Sequence, residues 1–132
     1  MRQSHPVLYV AVFETVAISG GSATTQVNFN DSGVIRGLTY ESMDSDGVPI
    51  GDTGTLNIYR QNQKGLTTEP LLVNTFCANL ANGASPYTLA SLMGDFRVNE
   101  LDQLVFTLVN KSTSTEIAVA HVTIWLEADG PR

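Results

Sequence analysis

Turn residues punctuate this chain roughly every ten to fifteen residues, and the segments between them are β-branched, aromatic or alternately apolar and polar. No apolar period of 3.6 residues persists, so a core has to come from packing sheet on sheet. Val7 to Ile18 is dense in valine, isoleucine and aromatic residues and stops at Ser19-Gly20-Gly21-Ser22, which reads as a long strand and a turn. Thr25, Val27 and Phe29 alternate with Gln26, Asn28 and Asn30, and Asn30-Asp31-Ser32-Gly33 follows, predicting a strand and a hairpin turn. Val34 to Glu41 resumes the pattern, with Gly37 marking a bulge or a close backbone approach.

The stretch from Ser42 to Gly54 is polar and rich in Gly and Asp, which predicts a long loop. Leu56 to Arg60 and Leu71 to Ala78 are two further strands, and Asn79 to Ser85, with Asn82-Gly83, is a turn. A helix fits only at Pro86 to Met93, where Gly94 limits it to two turns. Phe96 and Val98 lead through Asn99 to Asp102 into Gln103 to Asn110, and a link at Lys111 to Thr115 precedes Ile117 to Leu126. These last segments read as paired antiparallel strands. The expectation is an all-β, single-domain antiparallel sandwich, jelly-roll-like, over residues 1–132. Residues 1–6 are expected to form a flexible arm and 128–132 a flexible tail.

A chain of 132 residues suits one core. Charged residues make up only 15%, against roughly 25% in a typical domain, so the surface must be rich in Ser, Thr, Asn, Gln and Gly, which suits packing against other proteins. The net charge is −6, and the basic residues are scattered from Arg2 to Arg132. A surface that tracks nucleic-acid phosphates needs clustered cations, so that role is not expected. Cys77 is the single cysteine, which rules out an intramolecular disulfide and a thiolate metal cluster. Glu14 interrupts the first apolar stretch, and no run reaches the ~18 apolar residues of a membrane span. A protein made soluble in the cytoplasm, without membrane contact, is expected.

Three strands are apolar on both faces, where an antiparallel strand with one wet face should alternate cleanly. In the last, Ala118, Ala120, Val122, Ile124 and Leu126 form one row, and Ile117, Val119, His121, Thr123 and Trp125 form the other. In the first, Leu8, Val10, Val12, Val16 and Ile18 oppose Val7, Tyr9, Ala11 and Phe13; Leu104 to Val109 repeats the pattern. A sandwich buries only its inner faces, so the outer rows call for a neighbouring subunit or for the long loop at 42–54.

Residues for catalysis are few. His121 lies mid-strand and reads as a packed or interfacial residue, His5 lies near the terminus, and Cys77 between Phe76 and Ala78 reads as a small core residue. A Cys77–His121 dyad is the one nucleophile–base pairing considered. Ser42-Met43-Asp44-Ser45-Asp46-Gly47 has the alternating oxygens and glycine of a calcium loop, but its twelfth position would be Thr53 rather than glutamate. Asp44, Asp46 and Asp52 are therefore the candidates for an irregular Ca²⁺ site, set against a solvated turn. Asn30-Asp31-Ser32 and Asn110-Lys111-Ser112 match the glycosylation pattern, which matters only in a secreted eukaryotic protein. The glycine-rich turns lack the lysine of a phosphate loop.

Ser85-Pro86-Tyr87-Thr88-Leu89, followed by the run from Phe96 to Ser112 and the final strand Ile117 to Leu126, resembles the closing half of small bacteriophage virion β-sandwich proteins. Those proteins are capsid-decorating, vertex and spike subunits, and the likeness covers about a third of the chain. It implies a non-enzymatic structural subunit in a virion, self-associating and attached to other virion proteins of a capsid or tail through apolar strand faces. Tyr9, Phe13, His121 and Trp125 are the candidate interface residues, since buried aromatic residues carry much interface energy. The alternative is a carbohydrate-binding or adhesin module, for which Trp125, Tyr40, Tyr59 and Tyr87 are the stacking candidates, with Trp125 read as strand-buried.

Overall fold

The computed structural model describes residues 4–50, 54–62, 68–77 and 96–130. Among these residues eight strands form two antiparallel sheets: β1 (His5–Val16), β2 (Ser22–Asn28), β3 (Gly33–Met43), β4 (Gly54–Gln61), β5 (Thr68–Phe76), β6 (Phe96–Val98), β7 (Gln103–Asn110) and β8 (Ile117–Ala128). One sheet has the order β1-β8-β3-β6 and the other β2-β7-β4-β5. Within them β1 lies beside β8, β2 beside β7, β3 beside β6 and β4 beside β5. That nesting is one long antiparallel ribbon rolled over itself, the eight-stranded jelly roll. The ribbon stays hydrogen-bonded around its corners. Ser19 and Gly20 donate to the carbonyls of Ser112 and Asn110, and Asn110 donates to Gly21. One corner further, Phe29 donates to Asp102 and Leu101 to Phe29.

Turns expected to close hairpins, Ser19-Gly20-Gly21-Ser22 between β1 and β2 among them, instead carry the chain from one sheet to the other. Asn30-Asp31-Ser32-Gly33 joins β2 to β3 across the sandwich, and Lys111 to Thr115 joins β7 to β8 in the same way. β4 and β5 are the consecutive strands that pair with each other. A tight polar turn satisfies a sheet-to-sheet corner as well as a hairpin, so turn chemistry does not distinguish the two. β1 also starts at His5 rather than Val7, and at the other end the amide of Asp129, within the expected tail, bonds to the Ser32 carbonyl at 2.8 Å. The bulge expected at Gly37 is present: the register of β3 against β8 shifts between Ile35 and Gly37, leaving Arg36 as the extra residue. The helix expected at Pro86 to Met93 and the turn at Asn79 to Ser85 lie outside the described residues.

Inner faces of the two sheets interlock around Phe13, Phe29, Tyr40, Phe106, Leu38, Leu56, Ile58 and Ile124, all buried. On β1 the alternation fails in a revealing way. Thr15 takes a left-handed conformation at φ 51°, and the turn it imposes carries Val16 off the outer face and fully into the core. Asn110 sits at 0% exposure where two corners meet. Its side-chain amide donates to the carbonyls of Val16 (3.2 Å) and Thr115 (2.9 Å), and its carbonyl accepts the Ser112 N–H at 2.9 Å. A buried amide with these bonds met is a structural tie, and its burial leaves it closed to a glycan.

Candidate functional site

The apolar rows meet two fates. On β8, Ala120, Val122, Ile124 and Leu126 face the core, while Val119, His121, Thr123 and Trp125 lie half-buried on the outer face. On β1, an edge strand of twelve residues, Ala11 and Phe13 point inward, and Leu8, Val10 and Val12 stand outward at 53%, 50% and 42% exposure. Cross-strand register sets out three ranks on this face: Leu8–Trp125–Gly37, Val10–Thr123–Thr39 and Val12–His121–Glu41. The described part of the long loop does not reach them. Asp44 to Ile50 folds back on its own strand, where Ile50 bonds to the Ser42 carbonyl at 2.9 Å and Met43 bridges to Pro49. An outward apolar row on a long edge strand is what folded proteins ordinarily blunt with charge or cover.

Of the residues expected at an interface, two are spent inside the protomer. Phe13 is a core residue at 2% exposure. Tyr9 also points inward, packing edge-on to Phe29 with ring centres 4.9 Å apart. Its hydroxyl donates to Asp31 at 2.6 Å and accepts the Asn30 N–H at 3.2 Å, fastening β1 to the β2–β3 corner. Burial, helped by the bond to the Asp31 carboxylate, raises the Tyr9 phenol above its usual pKa. Odd positions of β1 take the inner face, so both aromatic rings are engaged within the protomer. His121 and Trp125 do lie on the outer face, and His121 Nδ1 is 3.6 Å from a Glu41 carboxylate oxygen. Trp125, read as strand-buried, is half-buried on the outside of the sheet.

Cys77 is fully buried while His121 lies on the outer face of a sheet, so the structure does not bring the two together. Asp44 is committed to its turn: one carboxylate oxygen accepts the N–H groups of Asp46 (2.9 Å) and Val48 (3.0 Å). Asp46 is exposed and Asp52 lies outside the described residues. Among the described residues no three His, Cys, Asp or Glu side chains gather to hold an ion. Of the stacking candidates, Tyr40 is buried, Tyr59 is half-buried on β4 and Tyr87 lies outside the described residues.

An open cavity of about 310 Å³ adjoins the exposed row, at the end of the outer face where β1 begins. Ser4, His5, Pro6, Arg36, Trp125 and Glu127 are among its lining residues. The Arg36 guanidinium donates to Glu127 at 2.7 Å, and the Ser4 hydroxyl donates to the other carboxylate oxygen at 2.9 Å. Sequence reading missed Arg36 and Glu127, because a lone arginine in one strand and a lone glutamate in another show no spacing that joins them. The bulge and the register bring them together. Comparison with protein-family models, with curated proteins and with solved structures finds no match to this chain.

Proposed function

We propose that this protein is a non-catalytic assembly subunit, a jelly-roll building block that self-associates through the outer face of β1 and β8 and serves in a phage particle. The observation that carries the reading is the row Leu8, Val10 and Val12, held outward on an edge strand and flanked by Trp125, Thr123 and His121. About half of each of these three side chains meets water in the isolated chain, and pairing the face with a second copy would remove that apolar surface from solvent. The eight-stranded roll is an architecture that viral capsid domains share with lectins and cupins, so fold alone does not choose among them. The run from Phe96 to Ser112, with its likeness to phage virion sandwiches, inclines the choice toward a particle.

Native mass spectrometry and light scattering at micromolar concentration test the self-association. An oligomer is expected for the wild type, and Val10→Glu is expected to dissociate it while leaving the β-sheet circular dichroism intact. A wild-type protein that stays monomeric would defeat the reading. Electron microscopy of the purified protein mixed with particles that lack it would test attachment.

A further inference from the structure

We infer that the cleft between the start of β1 and the bulge of β3 is a binding site for a neutral saccharide, sized for a single pyranose ring. Its volume of about 310 Å³ falls at the small end of ligand pockets, which run from roughly 300 to 1,000 Å³. The bulge of β3 contributes Arg36 to its lining. With Arg36 inserted as the extra residue, the position facing Trp125 on β3 is Gly37, which has no side chain to lay across the indole. An aromatic face beside polar groups suits the C–H face of a sugar ring, because the negative face of the indole attracts the weakly positive hydrogens.

The polar groups match hydroxyls rather than an ion. Arg36 brings donors and Glu127 brings acceptors, and the two are locked as a pair whose charges cancel. An anionic ligand would meet Glu127 and a cationic one Arg36, whereas adjacent hydroxyls both donate and accept and so suit both groups. Ser4 adds a third hydrogen-bonding group, already fixed on Glu127. The Trp125 indole N–H is buried without a hydrogen-bond partner, a donor whose lack of an acceptor costs the unliganded fold.

The inference does not depend on self-association, and the two are measured separately. Trp125 is the only tryptophan in the chain, so its emission reports on this cleft and the face beside it, and the titration is run at a fixed protein concentration with the oligomeric state followed in parallel. The full chain is titrated with four neutral sugars, glucose, galactose, mannose and N-acetylglucosamine, with glucuronate and sialic acid as charged comparisons and glycerol as a control, and the indole N–H resonance is followed by NMR. At least one sugar is expected to give a saturable change in emission and to shift the indole resonance, with a Kd on the order of 1 mM. Glu127→Gln and Arg36→Lys are expected to weaken it at least tenfold while melting cooperatively. No saturable response to any of the four sugars would overturn the site, as would saturation only by glucuronate or sialic acid. A saturable response that leaves the indole resonance unmoved would place binding elsewhere and overturn it too, even if a variant failed to fold.

Discussion

At the scale of single residues, Asn110 and Glu127 show two ways in which a polar side chain holds this sandwich. Asn110 is fully buried, and Asn110→Ala would strand the Val16 and Thr115 carbonyls and the Ser112 N–H together. The expected loss is roughly 1–3 kcal/mol, read from urea unfolding as a lower midpoint at unchanged slope. Glu127 acts from the surface, and its contribution depends on pH. The hydrogen bond from Arg36, then that from Ser4, holds its carboxyl below the ordinary value of 4.5. A folded-state pKa lowered in this way adds stability at pH values above 4.5, and that stability is lost as the pH falls through the lowered pKa. The melting temperature of wild type minus that of Glu127→Gln is therefore expected to be positive at neutral pH and to close on acidification. A gap that persisted in acid would mean that shape rather than charge sets the difference.

At the scale of strands and turns, close approach dominates. A Cβ on Gly54 would run into the Val109 carbonyl across the β4–β7 ladder, so Gly54→Ala must push two backbones apart. A cost of about 1–3 kcal/mol is expected, visible as a lower melting temperature. Gly47 differs. It closes the Asp44 turn with φ +78° in open space, so Gly47→Ala meets conformational strain alone and should cost about 1 kcal/mol. Strands of this kind were legible in the sequence because alternation is local, and so was the bulge at Gly37. Sheet partners were not, because Asn30 to Gly33 and Lys111 to Thr115 carry the same residues whether a chain turns back or crosses over. The parity of β8 correctly set Trp125 apart from Ile124 and Leu126, but not which row faced out. Val16 was misplaced because nothing in the sequence signals the left-handed backbone at Thr15. The cleft was illegible for a further reason: Ser4, Arg36 and Glu127 are brought together only by register.

At the scale of the whole molecule, one prediction concerns the core that the two sheets share. Phe106 on β7 is fully buried, and Phe106→Ala is expected to cost about 3–5 kcal/mol, measured by chemical denaturation. A smaller loss would mean that the sheets close over the gap. The roll also dictates an order of events. β8 lies between β1 and β3 and bonds to both along most of its length, yet of these eight strands it leaves the ribosome last. Until it arrives, β1 has no ladder to join and the sheet it belongs to stays split. Synthesis therefore holds a half-built sandwich open to solvent until translation of residues 117–128, the interval in which a chaperone or a sister chain has most to grip.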